Sequence, residues 1–218
     1  MFEAAIFDWD GTLADTRKVI VISFQKSLSE INIKVSDEYI ERRIGIGAAE
    51  TFRDVLRSAK MSVDEKIVQQ LIERKSQLEI QLTNQVKLFL GARELLEALR
   101  GKVKVGLASM NNHSVIIHMV EANGLEKYFE VILTADSVSH SKPNPEIFLK
   151  TALKLKTSPE KCVVFEDSIF GVKAAISANM GCVAVTTGVY NKEELEKEKP
   201  NLVVKTLKAS QILPFILQ

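Results

Sequence analysis

Few features of this chain point to a scaffold or a charged surface. It has 2 cysteines in 218 residues, too few for a disulfide framework. Cys162 and Cys182 both lie in apolar, strand-like runs, which predicts buried, reduced thiols. Charge of one sign is missing as well: 29 Lys and Arg stand against 28 Asp and Glu. No strong field therefore favours nucleic acid or an anionic membrane. No apolar run approaches the roughly 20 residues of a membrane-spanning helix. The N-terminus lacks a basic region followed by a long apolar stretch, so no signal peptide is expected. His113, His118 and His140 are scattered without metal-ligand spacing. No internal repeat or low-complexity segment occurs. These absences predict a cytoplasmic globular protein, long enough for one large domain or two small ones.

What is present gathers at the end of a short apolar run. Ala4-Ala5-Ile6 leads into Phe7-Asp8-Trp9-Asp10-Gly11-Thr12. The run reads as a buried strand, and a strand holding Asp8 and Asp10 would send both side chains the same way. Two like charges on one spot are costly unless a divalent cation or a shared proton sits there. The stretch therefore reads as a site rather than as core.

Further segments follow in order. Val103 to Ala108 is apolar and ends in Ser109-Met110-Asn111-Asn112. Ser141-Lys142-Pro143-Asn144-Pro145 puts one lysine in a stiff loop. Lys161 to Phe165 runs into Glu166-Asp167-Ser168. In open α/β sheets, ligands bind at the carboxyl ends of the strands. Carboxylates, one hydroxyl and one ammonium would meet there, a set suited to a metal-bound phosphate.

Between these motifs the periodicity changes. From about Thr16 to Lys87 it is helical, with no strand expected. Val19, Ile22, Phe24, Leu28 and Ile31 line one helix, and Phe52, Val55, Leu56 and Ala59 another. Ser36 and Ser62 precede acidic residues, which suits helix starts. Ile67 to Thr83 reads as one long helix with Leu71, Ile72, Leu78 and Leu82 inward, while Arg74 and Lys75 read as solvated charges. From Gly91 onward the spacing predicts helix 92–100, strand 103–108, helix 112–122, strand 131–134, helix 144–155, strand 161–165, helix 169–178 and strand 182–185. That alternation argues for an α/β fold with a doubly wound parallel sheet. Phe215 and Ile216 pack either on the core or on a partner, so a monomer and a homodimer are both open.

At these residues the chain resembles the haloacid dehalogenase-like superfamily, in the branch that holds phosphoglycolate phosphatases and β-phosphoglucomutase. Asp8-Trp9-Asp10-Gly11-Thr12 matches the first family motif, Ser109 the second, Lys142 the third and Glu166-Asp167 the fourth. The resemblance covers essentially the whole chain. It implies a Rossmann-like core of residues 1–15 and 88–218, and an inserted helical cap of residues 16–87 that closes over the site. It also implies roles. Asp8 is the nucleophile, forming an aspartyl-phosphate. Asp10 is the general acid–base, and its backbone carbonyl joins Asp8, Glu166 and Asp167 around Mg²⁺. Ser109 donates to a phosphoryl oxygen, helped by the backbone at Met110 and Asn111. Lys142 offsets phosphoryl charge and holds Asp8 poised. Thr12 sets the loop or touches phosphate, and the N–H of Trp9 points at phosphate. Arg43, in the cap loop Arg42 to Gly47, is the candidate for substrate contact.

Departures choose among the reactions of the resembling family. Haloacid dehalogenases lack a second aspartate in the first motif, so Asp10 argues against dehalogenation. The mutases carry a histidine where Ile20 stands and an arginine where Ala48 stands. Phosphonoacetaldehyde hydrolases use a cap lysine as a Schiff base, and no compelling counterpart occurs. Response-regulator receivers also combine Asp, Ser or Thr, Lys and Mg²⁺, but lack a helical insert. Leu90 replaces a usual proline before Gly91, with no bearing on the chemistry. The expectation is Mg²⁺-dependent hydrolysis of a small phosphorylated metabolite of the phosphoglycolate or sugar phosphate type. A phosphomutase and a non-catalytic phospho-switch are the alternatives.

Overall fold

The apolar runs become strands because both of their faces are covered. In the computed structural model, which describes residues 1–217, β1 (Ala4–Phe7) is buried throughout, as strands of parallel sheets are. The chain leaves through β2 (Ala14–Asp15) into α1 (Arg17–Ser29), α2 (Asp37–Glu41), α3 (Ala48–Ser58) and α4 (Glu65–Gln81), and returns through β3 (Lys87–Leu88). Then come α5 (Ala92–Leu99), β4 (Lys104–Ala108), α6 (His113–Ala122), β5 (Val131–Leu133) and α7 (Glu146–Lys154). The last part holds β6 (Cys162–Glu166), α8 (Ile169–Ser177), β7 (Gly181–Val185), α9 (Lys192–Lys197), β8 (Leu202–Val204) and α10 (Ala209–Leu217). Six strands form one parallel sheet in the order β5-β4-β1-β6-β7-β8, the doubly wound α/β arrangement that the alternation predicts.

Strand order reverses at β1, the place where open α/β sheets leave a crevice. Register brings the strand ends level: Phe7 lies opposite Leu107 on one side and Phe165 on the other. The residues that follow all three strands therefore emerge on one edge. Phe7 and Phe165 stack with centroids 4.3 Å apart, within a cluster that includes Leu95, Ile116, Ile212 and Ile216. Ala4, Ile6, Val164 and Cys182 face the other way, against Phe148 and Val172. Each large apolar side chain buried in this way contributes about 1.5–3 kcal/mol, which anchors the strand ends that carry the polar residues.

The four helices α1–α4 have an apolar cluster of their own, centred on Phe24, Leu28, Phe52, Leu56, Val68 and Leu71. Phe24 and Phe52 sit 4.7 Å apart within it. Ile22, Ile31, Ile72 and Leu82, expected inward, are only half-buried. Ser36 caps α2 by accepting from Tyr39 N. The start of α4 is capped by Asp64 rather than Ser62, accepting from Lys66 N.

The helix and strand spacing from Gly91 to Val185 holds to within a residue or two. Three features depart from expectation. The first strand stops at Phe7, so Asp8 and Asp10 lie beyond it rather than on it. A two-stranded antiparallel ribbon, β2 with β3, joins the two passages of chain between sheet and helices. β8, α9 and α10 extend the fold past the last predicted strand; β8 is a three-residue edge strand and α10 contains Pro214, both weak signals. Ile216 is buried in the sheet's own cluster, and Phe215 packs on Phe2 at 5.4 Å. No helix among the described residues is long and apolar enough to cross a membrane.

Candidate active site

Three strands deliver the polar residues to one edge of the sheet. Asp8 follows β1, its N–H donating to Phe165 O at 3.0 Å. Ser109 follows β4, Glu166 ends β6 and Asp167 follows it. Asp8, Glu166 and Asp167 are buried and offer carboxylate oxygens that all lie within 4.8 Å of one another. Lys142, from the loop before α7, reaches between them. Its Nζ is 2.6 Å from Asp8 Oδ1, 2.5 Å from Glu166 Oε1 and 3.3 Å from Ala108 O.

Three carboxylates with one ammonium leave an excess of negative charge. Burial pushes Asp8 well above the usual carboxylate range; Lys142 pulls it back, and Glu166 and Asp167 push it up again. Asp167 is raised in the same way, first by burial and then by Glu166. For Lys142, burial opposes the charge, yet Asp8 and Glu166 outweigh it and hold the ammonium above its ordinary value. Buried like charges of this kind are stabilised by a cation or by protons. The donor set is all oxygen, which suits a hard divalent ion.

The neighbouring groups hold these acids in place. Thr12 Oγ1 donates to Asp167 Oδ1 at 3.0 Å, so its hydroxyl orients an acid rather than lying open to a phosphate. Glu166 Oε2 accepts from the N–H groups of Asp167 and Ser168 and from Ser168 Oγ. Gly11 has φ +84°, and a Cβ there would overlap the Asp167 carboxylate, so the close approach requires glycine. Trp9 packs its ring in the core, and its carbonyl accepts from Thr12, Leu13 and Ala14.

Asp10 faces a different environment from Asp8. Its side chain stands outside the acidic cluster, and its Oδ2 is 3.4 Å from Ser109 Oγ and 3.5 Å from Asn111 Nδ2. Asp10 Oδ1 is buried with no hydrogen-bond partner among the described residues. Burial raises its proton affinity, and Lys75, Asn111 and Ser109 lower it again. Two carboxylates two residues apart thus have different neighbours, the pattern by which paired acids take different roles.

A narrow cleft of about 30 Å³ lies between the sheet edge and the helices. Asp8, Asp10, Met110 and Asn111 form its floor, and Ile20, Phe24, Arg43, Ala48, Thr51 and Lys75 line it from the helical side. The loop 42–47 crosses above. A Cβ on Gly45 would come 2.7 Å from Ser168 Oγ. Arg43 lies 3.6 Å over the Tyr39 ring, and its Nε is 3.9 Å from Asp54. Arg42 turns out of the cleft: it pairs with Glu194 at 2.6 Å and lies 4.2 Å over the Tyr190 ring.

Reading of the sequence missed Lys75 and Glu79. Lys75 is 3 % exposed and Glu79 is wholly buried. Lys75 Nζ is 2.7 Å from Glu79 Oε2 and 3.3 Å from Asn111 Oδ1. Burial pushes Glu79 up, against the pull of Lys75. The signal was the spacing Leu71, Lys75, Leu78, Glu79, Leu82, which puts both charges on the stripe of a helix whose leucines face inward.

A family model described as haloacid dehalogenase-like hydrolase matches residues 5–185. The phosphorylated carbohydrates phosphatase of Thermotoga maritima is 31% identical over 180 residues, covering 82% of each chain. A crystal structure of a hydrolase from Pseudomonas syringae matches with a TM-score of 0.90 at 29% identity, over 98% of this chain and 99% of its own. β-Phosphoglucomutase from Clostridium difficile matches with a TM-score of 0.88 at 28% identity, over 99% and 96% respectively.

Proposed function

From the premise that the chain belongs to the haloacid dehalogenase-like hydrolase family, we propose that it is a phosphatase acting on a small phosphate monoester through an aspartyl-phosphate on Asp8. In this reading residues 1–15 and 88–218 are the catalytic core, and residues 16–87 are a cap that covers the cleft. The observation that carries it is the ammonium of Lys142 set 2.6 Å from Asp8, with Asp10 lining the same cleft.

Asp8 must be ionised to attack phosphorus, and burial opposes that. Lys142 supplies the opposing charge at contact distance and so favours the ionised, nucleophilic form. An Asp8 oxygen forms the bond to phosphorus as the ester oxygen leaves. Asp10, raised by burial, carries the proton that the departing alkoxide takes. In the second half Asp10 takes a proton from water, the water oxygen attacks phosphorus, and inorganic phosphate leaves with Asp8 restored. Ser109 Oγ, 3.4 Å from Asp10 Oδ2, and the Met110 N–H, ahead of α6, provide donors for phosphoryl oxygens, whereas the Asn111 N–H already donates to Ser109 Oγ at 3.1 Å. Positioning and charge provide most of the acceleration in such transfers.

The buried acids Asp8, Glu166 and Asp167 fit Mg²⁺ in charge and donor type, with the Asp10 carbonyl as a further ligand. When bound, the ion would offset the charge of the carboxylates and of the phosphoryl group. Ile20 and Ala48 line the cleft where the resembling mutases carry histidine and arginine, which favours hydrolysis over phosphoryl return to a sugar. The test is phosphate release from a panel of monoesters with Mg²⁺ and with chelator. Release that needs the cation supports this reading; a folded protein that cleaves no monoester, p-nitrophenyl phosphate included, overturns it.

A further inference from the structure

The buried pair on α4 has a consequence for what the cleft admits. Lys75 and Glu79 lie one helical turn apart, on the same face, and their charged atoms are 2.7 Å apart. Lys75 lines the cleft from the helical side, 5.2 Å from the centroid of the Phe24 ring. Two of its three ammonium donors are already spent, on Glu79 and on Asn111. The other cation of this wall, Arg43, lies against the Tyr39 ring, with Asp54 3.9 Å from its Nε. Ile20, Phe24 and Ala48 complete the wall with apolar surface. Lys75 thus has its carboxylate at contact distance, whereas Arg43 has Asp54 only at 3.9 Å and a buried Nε with no hydrogen-bond partner among the described residues.

We propose that Glu79 determines leaving-group specificity: by neutralising Lys75 it makes the cleft accept an uncharged alcohol and reject a carboxylate or a second phosphate. The proposal rests on the phosphatase reading above. An anionic leaving group would meet a Lys75 already matched by Glu79. A buried charge without a partner is costly, and such a cost discriminates between ligands. Removal of the Glu79 carboxylate takes away the ion-pair partner of Lys75, so an anionic leaving group then supplies that charge.

The test uses two two-carbon esters of similar size, 2-hydroxyethyl phosphate and phosphoglycolate. The ratio of their kcat/KM values cancels effects on steps common to both. Wild type is expected to prefer 2-hydroxyethyl phosphate by about tenfold, and Glu79→Gln to move the ratio about tenfold toward phosphoglycolate. Glu79→Asp, which keeps the charge, should retain the wild-type ratio, as should the charge-free double variant Lys75→Met/Glu79→Leu. Wild-type preference for phosphoglycolate overturns the proposal without any variant, and so does a ratio unmoved in Glu79→Gln. Either result, with p-nitrophenyl phosphate still cleaved, leaves the phosphatase reading standing. Loss of all turnover in wild type, the aryl ester included, overturns both.

Discussion

Lys142 Nζ lies 2.6 Å from Asp8 Oδ1 across 134 residues of sequence. Both side chains are almost wholly buried, and Glu166 shares the same ammonium. Lys142→Met would leave two carboxylates buried without their cation. The expected loss is about 3–5 kcal/mol, the usual cost of breaking a buried pair. Urea denaturation at pH 8 and at pH 5 checks it. The loss should be smaller at pH 5, because protonation removes the charge left unpaired.

Stability of the metal-free protein should fall as pH rises. Burial holds Asp8 and Asp167 above their unfolded values. A carboxyl raised on folding binds more protons folded than unfolded, so ionising it costs stability. The window opens near the unfolded value of about 4 and runs up to the raised folded values. Mg²⁺ requires the ionised acids, so its stabilising effect should be larger at pH 8 than at pH 5. At a concentration about 100 times the dissociation constant it should add about 2.7 kcal/mol. Thermal melts with Mg²⁺ and with chelator at both pH values give the answer.

How much of this could be read from the residues alone depended on range. Runs such as Ala4 to Phe7 and Cys162 to Phe165 declare themselves because every residue in them is apolar, and the acids at their ends are adjacent in sequence. Lys75 and Glu79 escaped because a charge on an inward stripe looks like a solvated one until the facing element, here Asn111, is known. Thr12 could not be assigned for a similar reason: its partner Asp167 is 155 residues away. β2 and β3 have two residues each and show no period at all.

Arg42 joins the helical unit to the core. It pairs with Glu194 at 2.6 Å, and Tyr190 Oη donates to its carbonyl at 2.7 Å. The pair is partly exposed and worth no more than about 1 kcal/mol. In the cap reading proposed above, loss of that energy shifts the closed–open equilibrium about fivefold. Glu194→Gln is therefore expected to raise KM up to fivefold while leaving the midpoint of denaturation nearly unchanged. Steady-state kinetics beside a melt separates this effect from a general loss of stability.

The nucleophile itself can be caught. Protein turning over p-nitrophenyl phosphate with Mg²⁺ would be quenched in acid, reduced with borohydride and mapped by peptide mass. An acyl phosphate on Asp8 reduces to homoserine at position 8, and that is the expected product, absent in Asp8→Asn. Turnover that proceeds with no modification at position 8, or with the phosphoryl group at another residue, would contradict the assignment of Asp8 and the mechanism built on it.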